Sequence, residues 1–127
     1  MSRPRASSGS PYEEAIGFSR AVRVGDRVLV SGTAPVWPDG SCDPDPGAQA
    51  GRCLEIVGSA LQTLGARLED VVRTRVFLVD AADAERVSSV HGAVFGEVRP
   101  AATMVVVAGL LDARWRVEIE AEAVVGP

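Results

Sequence analysis

Three glutamates alternate along Val117-Glu118-Ile119-Glu120-Ala121-Glu122-Ala123, the most regular set of ionisable groups in the chain. On an extended strand such residues share one face, with neighbours roughly 7 Å apart. Like charges that close disfavour ionisation, and burial raises a carboxylate pKa further, which suits general acid–base work. A plainer use is also available. Arg73 and Arg75 alternate on another segment, and Arg114 and Arg116 flank this one, so a cross-strand charge ladder accounts for all three. On the residues alone, the ladder is the favoured reading. The single histidine, His91, falls at helical spacing between Val90 and Val94. It is either a base that titrates near neutrality or a packed side chain.

Other chemistries find less support. No serine stands in a G-x-S-x-G elbow, and neither Cys42 nor Cys53 has a base beside it in sequence. Asp39-Gly-Ser-Cys-Asp-Pro-Asp does not fit a calcium loop and reads as a turn. Trp37 and Trp115 read as packing anchors rather than pocket walls. All thirteen basic residues are arginine, so Schiff-base chemistry and a P-loop lysine are excluded. One histidine and two cysteines are too few for a His/Cys zinc site, and no other metal or cofactor is implied. The net charge of −4, without a basic block, argues against nucleic acid as a partner.

The elements that must position these groups fit one domain of 127 residues. Ala21 to Gly32 reads as a hairpin turning at Gly25-Asp26, and the Pro-, Asp- and Gly-rich stretch 35–47 as a loop. Apolar residues at Cys53, Ile56, Val57, Ala60, Leu61 and Leu64 predict a helix over about 48–64, stopped by Gly65. Val71–Val79 predicts a strand. Asp83 is placed to cap a second helix reaching Phe95, with Val87, Val90, Val94 and Phe95 inward. Thr103–Ala108 predicts a strand apolar on both sides, and Arg114–Val125 a strictly alternating one. The order is β-β-α-β-α-β-β, an α+β domain over residues 17–127 behind a loose Ser/Pro/Gly-rich arm, 1–16.

Two helices cover only one face of such a sheet. The doubly apolar Met104–Ala108 segment, an apolar fraction of 46% and a mean hydropathy of +0.14 therefore predict packing against another copy of the chain. No run is long enough to span a membrane, and the N-terminus lacks the apolar core of a secretory signal, so a cytoplasmic protein with reduced thiols is expected.

Five motifs then add up to a resemblance. Val28-Leu-Val-Ser-Gly-Thr-Ala-Pro, the helix start Gln49 to Leu54, Val71-Val-Arg-Thr-Arg-Val-Phe-Leu-Val-Asp, Arg99-Pro-Ala-Ala-Thr and Val117-Glu-Ile-Glu-Ala follow in order. From about Gly17 to Val125 the chain resembles the RidA/YjgF family of reactive-intermediate deaminases, also labelled endoribonuclease L-PSP. The resemblance implies a chorismate-mutase-like fold, a homotrimer with a central barrel of sheets, and small-molecule clefts between subunits. It implies hydrolysis of 2-imino or enamino acids to 2-oxo acids and ammonia, without cofactor or metal.

Carried over by position, the resemblance makes Glu118 the residue that activates water. Phe18, Ser31, Gly32, Ser88, Ala102, Thr103 and Met104 become the residues lining the ligand. The match is incomplete at three of them. Ala102 stands where deaminating members carry the arginine that grips the substrate carboxylate. Phe18 stands where they have tyrosine, and Ser88 where asparagine is frequent. Loss of the guanidinium implies a less anionic ligand and weak or absent 2-imino acid deamination. Arg99 and Arg20 are the nearest candidates to replace it. A non-catalytic binding or regulatory module is the competing class, and ribonuclease activity ranks last.

Overall fold

The computed structural model describes residues 3–126 and contains one six-stranded sheet with three α-helices. In chain order the elements are β1 (Arg5–Ala6), α1 (Pro11–Ile16), β2 (Ala21–Val24), β3 (Arg27–Thr33), α2 (Pro46–Thr63), β4 (Val71–Leu78), α3 (Ala84–Phe95), β5 (Ala101–Val106) and β6 (Val117–Val124). The sheet runs β1-β2-β3-β6-β4-β5. Its one parallel pair is β4–β5, joined through α3 as a parallel crossover requires. The mixed α+β class and the order of the seven expected elements hold.

The arm differs from expectation. Arg5 and Ala6 pair with Val22 and Ala21, and residues 11–16 form a helix where only a loose segment was read. The local cause is conventional: Ser10 accepts from the Tyr12 N–H, Pro11 opens the helix, and Gly17 ends it at φ 91°. Amid so much Ser, Pro and Gly, six residues give too short a pattern to stand out.

The β2–β3 hairpin turns where the sequence places it, with Gly25 at φ 61° and Val24 facing Arg27. Asp45 caps α2, accepting from the Ala48 N–H at 2.8 Å. The helix then buries Cys53, Leu54, Val57, Ala60 and Leu61 against the sheet, and Gly65 at φ 81° follows its end.

Asp83 precedes α3 but does not cap it through its side chain. Its carboxylate instead takes both Nε and Nη2 of Arg116, at 2.8 and 3.0 Å. A charged two-point partner outcompetes a backbone N–H. On α3, Val87 and Phe95 are buried and Val90 partly so, whereas Val94, expected inward, is exposed.

β6 begins at Val117 rather than Arg114, because Asp112 draws the preceding segment into a turn. Its carboxylate accepts from the Arg114 backbone N–H, Nε and Nη2. Along β6, Val117, Ile119, Ala121 and Ala123 are all buried against α2, and the three glutamates face the other way. Both long helices cover that first face. The opposite face carries Leu29, Phe77 and Val105 among charged residues, with Leu29 and Val105 exposed in this single chain. Edge strand β5 is open on both sides, since Val106 on the helix side is also 54% exposed.

Candidate functional site

Glu118 is placed by alternation: Val117 and Ile119 anchor in the core on either side of it and set it on the uncovered face, opposite Phe77 of β4. Beside it β3 carries a bulge. Val30 faces Ala121 and Thr33 faces Ile119, so Ser31 and Gly32 together stand against one residue of β6. The bulge drives the β3 backbone toward the carboxylate. A methyl group on Gly32 would lie 2.7 Å from Glu118 Oε1, closer than packed atoms come. Glycine here lets the carboxylate lie against the β3 backbone, and a larger residue would displace it.

The bulge also fixes the segment before β2. Ser31 donates its N–H to the Arg20 carbonyl at 2.9 Å and its hydroxyl to the Ser19 carbonyl at 2.7 Å. Arg20 itself is only 6% exposed. Its guanidinium carbon lies 5.2 Å from the centre of the Phe18 ring, and its Nε and Nη2 have no hydrogen-bond partner. Glu13 of α1 faces Arg20 but is held by the N–H and hydroxyl of Ser8.

Burial pushes the Glu118 carboxyl above its ordinary range; Arg20 works against that rise and Glu120 adds to it. Burial likewise lowers the Arg20 pKa, with Glu13 and Glu118 opposing. Burial works to raise Glu13 too, but hydrogen bonds from Ser8 and Ser7, with Arg20 nearby, bring it below the usual value. Among the described residues, Glu118 accepts no hydrogen bond and joins no ion pair.

The other two glutamates do form a ladder, with the expected Arg75 and with Arg27 in place of Arg73, Arg114 and Arg116. Glu120 accepts from Arg75 at 2.9 Å, and Glu122 meets Arg27 at 3.2 Å and Arg75 at 3.7 Å. Arg73 joins no ion pair among the described residues, while Arg114 and Arg116 are held by Asp112 and Asp83.

The remaining expected site residues lie elsewhere on the chain. Ala102 is in register with Thr74, and Met104 with Val76, on the side of the sheet that the helices cover. The Ser88 hydroxyl of α3 reaches Met104 Sδ at 3.8 Å. Thr103 faces the other way, beside Arg75. Strand β4 separates this group from Glu118. One chain thus holds two half-sets: Phe18, Ser31, Gly32 and Glu118 around Arg20, and Ser88, Ala102 and Met104 along β5. Neither a depression of about 150 Å³ bordered by Arg73, Arg75 and Glu120 nor a groove of about 510 Å³ between Asp45 and Arg86 contains Glu118.

Arg99 is exposed and left-handed at φ 52°, its N–H closing the end of α3 on the Phe95 carbonyl at 2.8 Å. Its side chain makes no hydrogen bond among the described residues. His91 is 2.8 Å from the buried Thr74 hydroxyl and packs tilted against Phe95 with ring centres 4.7 Å apart, and burial lowers its pKa. It is a packed side chain on the helix-covered side. Cys53 is buried, Cys42 half-buried, and both are free. Asp39 accepts from Ser41 in the turn expected there. Trp115 packs edge-on against Tyr12 at 5.9 Å.

Sequence reasoning passed over Gln49 as a supporting residue. Fully buried, it donates to the carbonyls of Asp43 and Arg114 and accepts from the Arg116 N–H at 2.7 Å. It thereby ties α2 to the start of β6, next to Glu118. A polar residue on a helix gives no sign in sequence of which loops it will hold. Nothing in the sequence marks Arg20 as buried, since solvent access depends on the packed fold.

Comparison with known proteins defines the class. Residues 10–125 match the family described as Endoribonuclease L-PSP. An uncharacterized protein of Streptomyces coelicolor is 41% identical over 94% of this chain and 90% of its own. The 2-iminobutanoate/2-iminopropanoate deaminase of Salmonella typhimurium is 36% identical over 98% of each chain. The crystal structure of a YjgF/YER057c/UK114-family member from Mycobacterium tuberculosis superimposes with a TM-score of 0.90 at 43% identity, covering 98% of this chain and 100% of that one. The chain belongs to the RidA/YjgF family.

Proposed function

We propose that this protein is a trimeric hydrolase whose small-molecule pockets form between subunits, and that Glu118 activates water there against an imine, enamine or related electrophile. The carrying observation is a half-buried, unpaired carboxylate held beside Gly32, where a methyl group would stand 2.7 Å from Oε1. A carboxylate with a raised pKa is a stronger base once ionised, and it takes a water proton as the oxygen bonds to the C=N carbon. That proton passes to nitrogen to give a carbinolamine; the hydroxyl proton then follows it to nitrogen through the same carboxylate as the C–N bond breaks, and a carbonyl and ammonia leave. The two separate half-sets of site residues support a pocket completed by a second copy. The exposed Leu29 and Val105 on the uncovered face support the packing of sheets around a barrel.

Ala102 removes the charge and the two-point grip that an arginine supplies at that position. Standard 2-imino acid deamination is therefore weak or absent. Coupled assays with a threonine dehydratase test both parts. Ammonia release from 2-iminobutanoate is expected to be far slower than with the Salmonella relative, and a comparable rate would overturn the proposed effect of Ala102. Activity on any imine or enamine should rise with pH through the Glu118 ionisation, at a pH above the ordinary carboxylate range.

A second reading follows from Ser31, whose hydroxyl is already committed to the Ser19 carbonyl. A pocket with so few free polar groups also suits a binding or regulatory module without turnover. Glu118→Ala separates the two readings. Lost turnover with retained ligand binding supports the hydrolase, and unchanged behaviour in every activity assay supports the module.

A further inference from the structure

Three guanidinium groups in this molecule present the same side-on edge. Arg116 uses Nε and Nη2 to hold both oxygens of Asp83, at 2.8 and 3.0 Å. Arg114 uses the same two atoms on Asp112, at 3.1 and 2.9 Å. Both of those arginines remain substantially open to solvent. The third edge belongs to Arg20, which is 94% buried by its 6% exposure, and there neither Nε nor Nη2 has a partner. The fork that could most easily be satisfied by water is filled twice by carboxylates, and the fork removed from water is empty.

An unpaired buried donor forfeits its hydration with nothing in return, more so when it carries charge. The nearby acids do not close the gap. Glu13 is tied to Ser8, and Glu118 is held against Gly32. The Phe18 ring lies against the guanidinium, its centre 5.2 Å from Cζ, and this contact gives the N–H groups of the Nε–Nη2 edge no hydrogen-bond acceptor.

We propose that Arg20 is the anion anchor of this protein: its Nε–Nη2 edge takes the carboxylate of a small ligand side-on, on the same chain as Glu118, in place of the arginine missing at Ala102. Because Nε and Nη2 are closed to solvent in the single chain, entry of the carboxylate requires the half-buried Phe18 ring to move aside. This rests on Glu118 marking the pocket, and it replaces the less anionic ligand that Ala102 alone implies. The ligand class is a small monocarboxylate whose electrophilic carbon lies within reach of Glu118 when the carboxylate is on Arg20. Anchor and base then come from one subunit.

The test uses the full-length ¹⁵N-labelled protein, with the Arg20 Nε–H resonance assigned through Arg20→Lys. Titration with 2-oxobutanoate is expected to move that resonance, whereas 2-oxobutanamide, which lacks the charge, leaves it in place. Arg20→Gln is expected to weaken 2-oxobutanoate binding at least tenfold, about 1.4 kcal/mol, and to leave the amide unaffected. Arg20→Lys, keeping charge without the fork, recovers only part of the loss. Equal affinity of wild type and Arg20→Gln, or an Arg20 resonance that stays still while 2-oxobutanoate binds or fails to bind, overturns the proposal. If Arg20→Gln does not fold by circular dichroism, the wild-type titration decides alone. Glu118→Gln keeps the readings apart. Lost turnover there with no Arg20 effect removes only the anchor; no effect at either residue removes the pocket reading as well.

Discussion

The two ends of β6 carry the same residue type on the same face and use it differently. At the Glu120–Glu122 end the carboxylates lie among Arg27 and Arg75, partly solvated and mutually neutralised. At the Glu118 end the cross-strand neighbour is Phe77, the adjacent β3 backbone is bulged, and the nearby cation, Arg20, is buried and makes no bond to the carboxylate. One end is satisfied and structural. The other holds a half-buried carboxylate with no hydrogen-bond or ion-pair partner among the described residues, an environment of the kind that perturbs a carboxyl pKa. The lesson is that a strand pattern selects a face, while the neighbouring strand selects the function of each residue on it.

That contrast can be broken from either end. The largest effect is expected from Glu118→Gln, which removes the base while preserving volume. Turnover of an accepted imine or enamine should fall by roughly 10²–10⁴-fold with the unfolding midpoint nearly unchanged. A residual rate within a factor of a few of wild type would end the catalytic assignment. Next comes Gly32→Ala, whose methyl displaces the Glu118 carboxylate. The contact involves the free end of a side chain, so the fold should survive, and kcat should drop by roughly 10–100-fold from misplacement of the base. Retained kcat would mean that the carboxylate position is not critical.

A change away from Glu118 acts on the scaffold that holds the start of β6. Gln49→Leu leaves the Asp43 and Arg114 carbonyls and the Arg116 N–H without their buried partner. Urea unfolding should show a loss of about 2–3 kcal/mol, the usual scale for orphaned buried polar groups. The smallest effect belongs to the ladder. Glu122→Gln should alter stability by no more than about 0.5 kcal/mol, since exposed pairs contribute little, and should leave turnover alone. A large kinetic effect at Glu122 would erase the distinction between the two ends.

Several features of this arrangement were legible before any coordinates. Period-two alternation put Val117, Ile119, Ala121 and Ala123 inward, and helical spacing put Cys53, Val57 and Leu61 inward, because burial of a face repeats at the period of its element. Val94 and Asp83 departed from their expected roles for a shared reason. Local pattern assigns each residue its simplest use, and contacts from distant segments reassign it. Arg116 lies 33 residues from Asp83 and still takes the carboxylate away from capping. The helix and edge strand of the arm are too short to carry a period in the sequence. The second face of β5 read correctly as apolar, but in the single chain it remains uncovered.

By itself the sequence determined the α+β class, the order of its main elements, the family, and the absence of an arginine at position 102. Each of these depends on residue identity and spacing along one chain. Tertiary structure alone separated Glu118 from Glu120 and Glu122, because the separation depends on what a different strand places beside each one. It alone showed Arg20 buried with an empty fork, since solvent access and hydrogen-bond partners belong to the packed molecule. It also set Ala102 and Glu118 apart on one chain, because strand order and register, which no local pattern encodes, decide which positions of a sheet become neighbours.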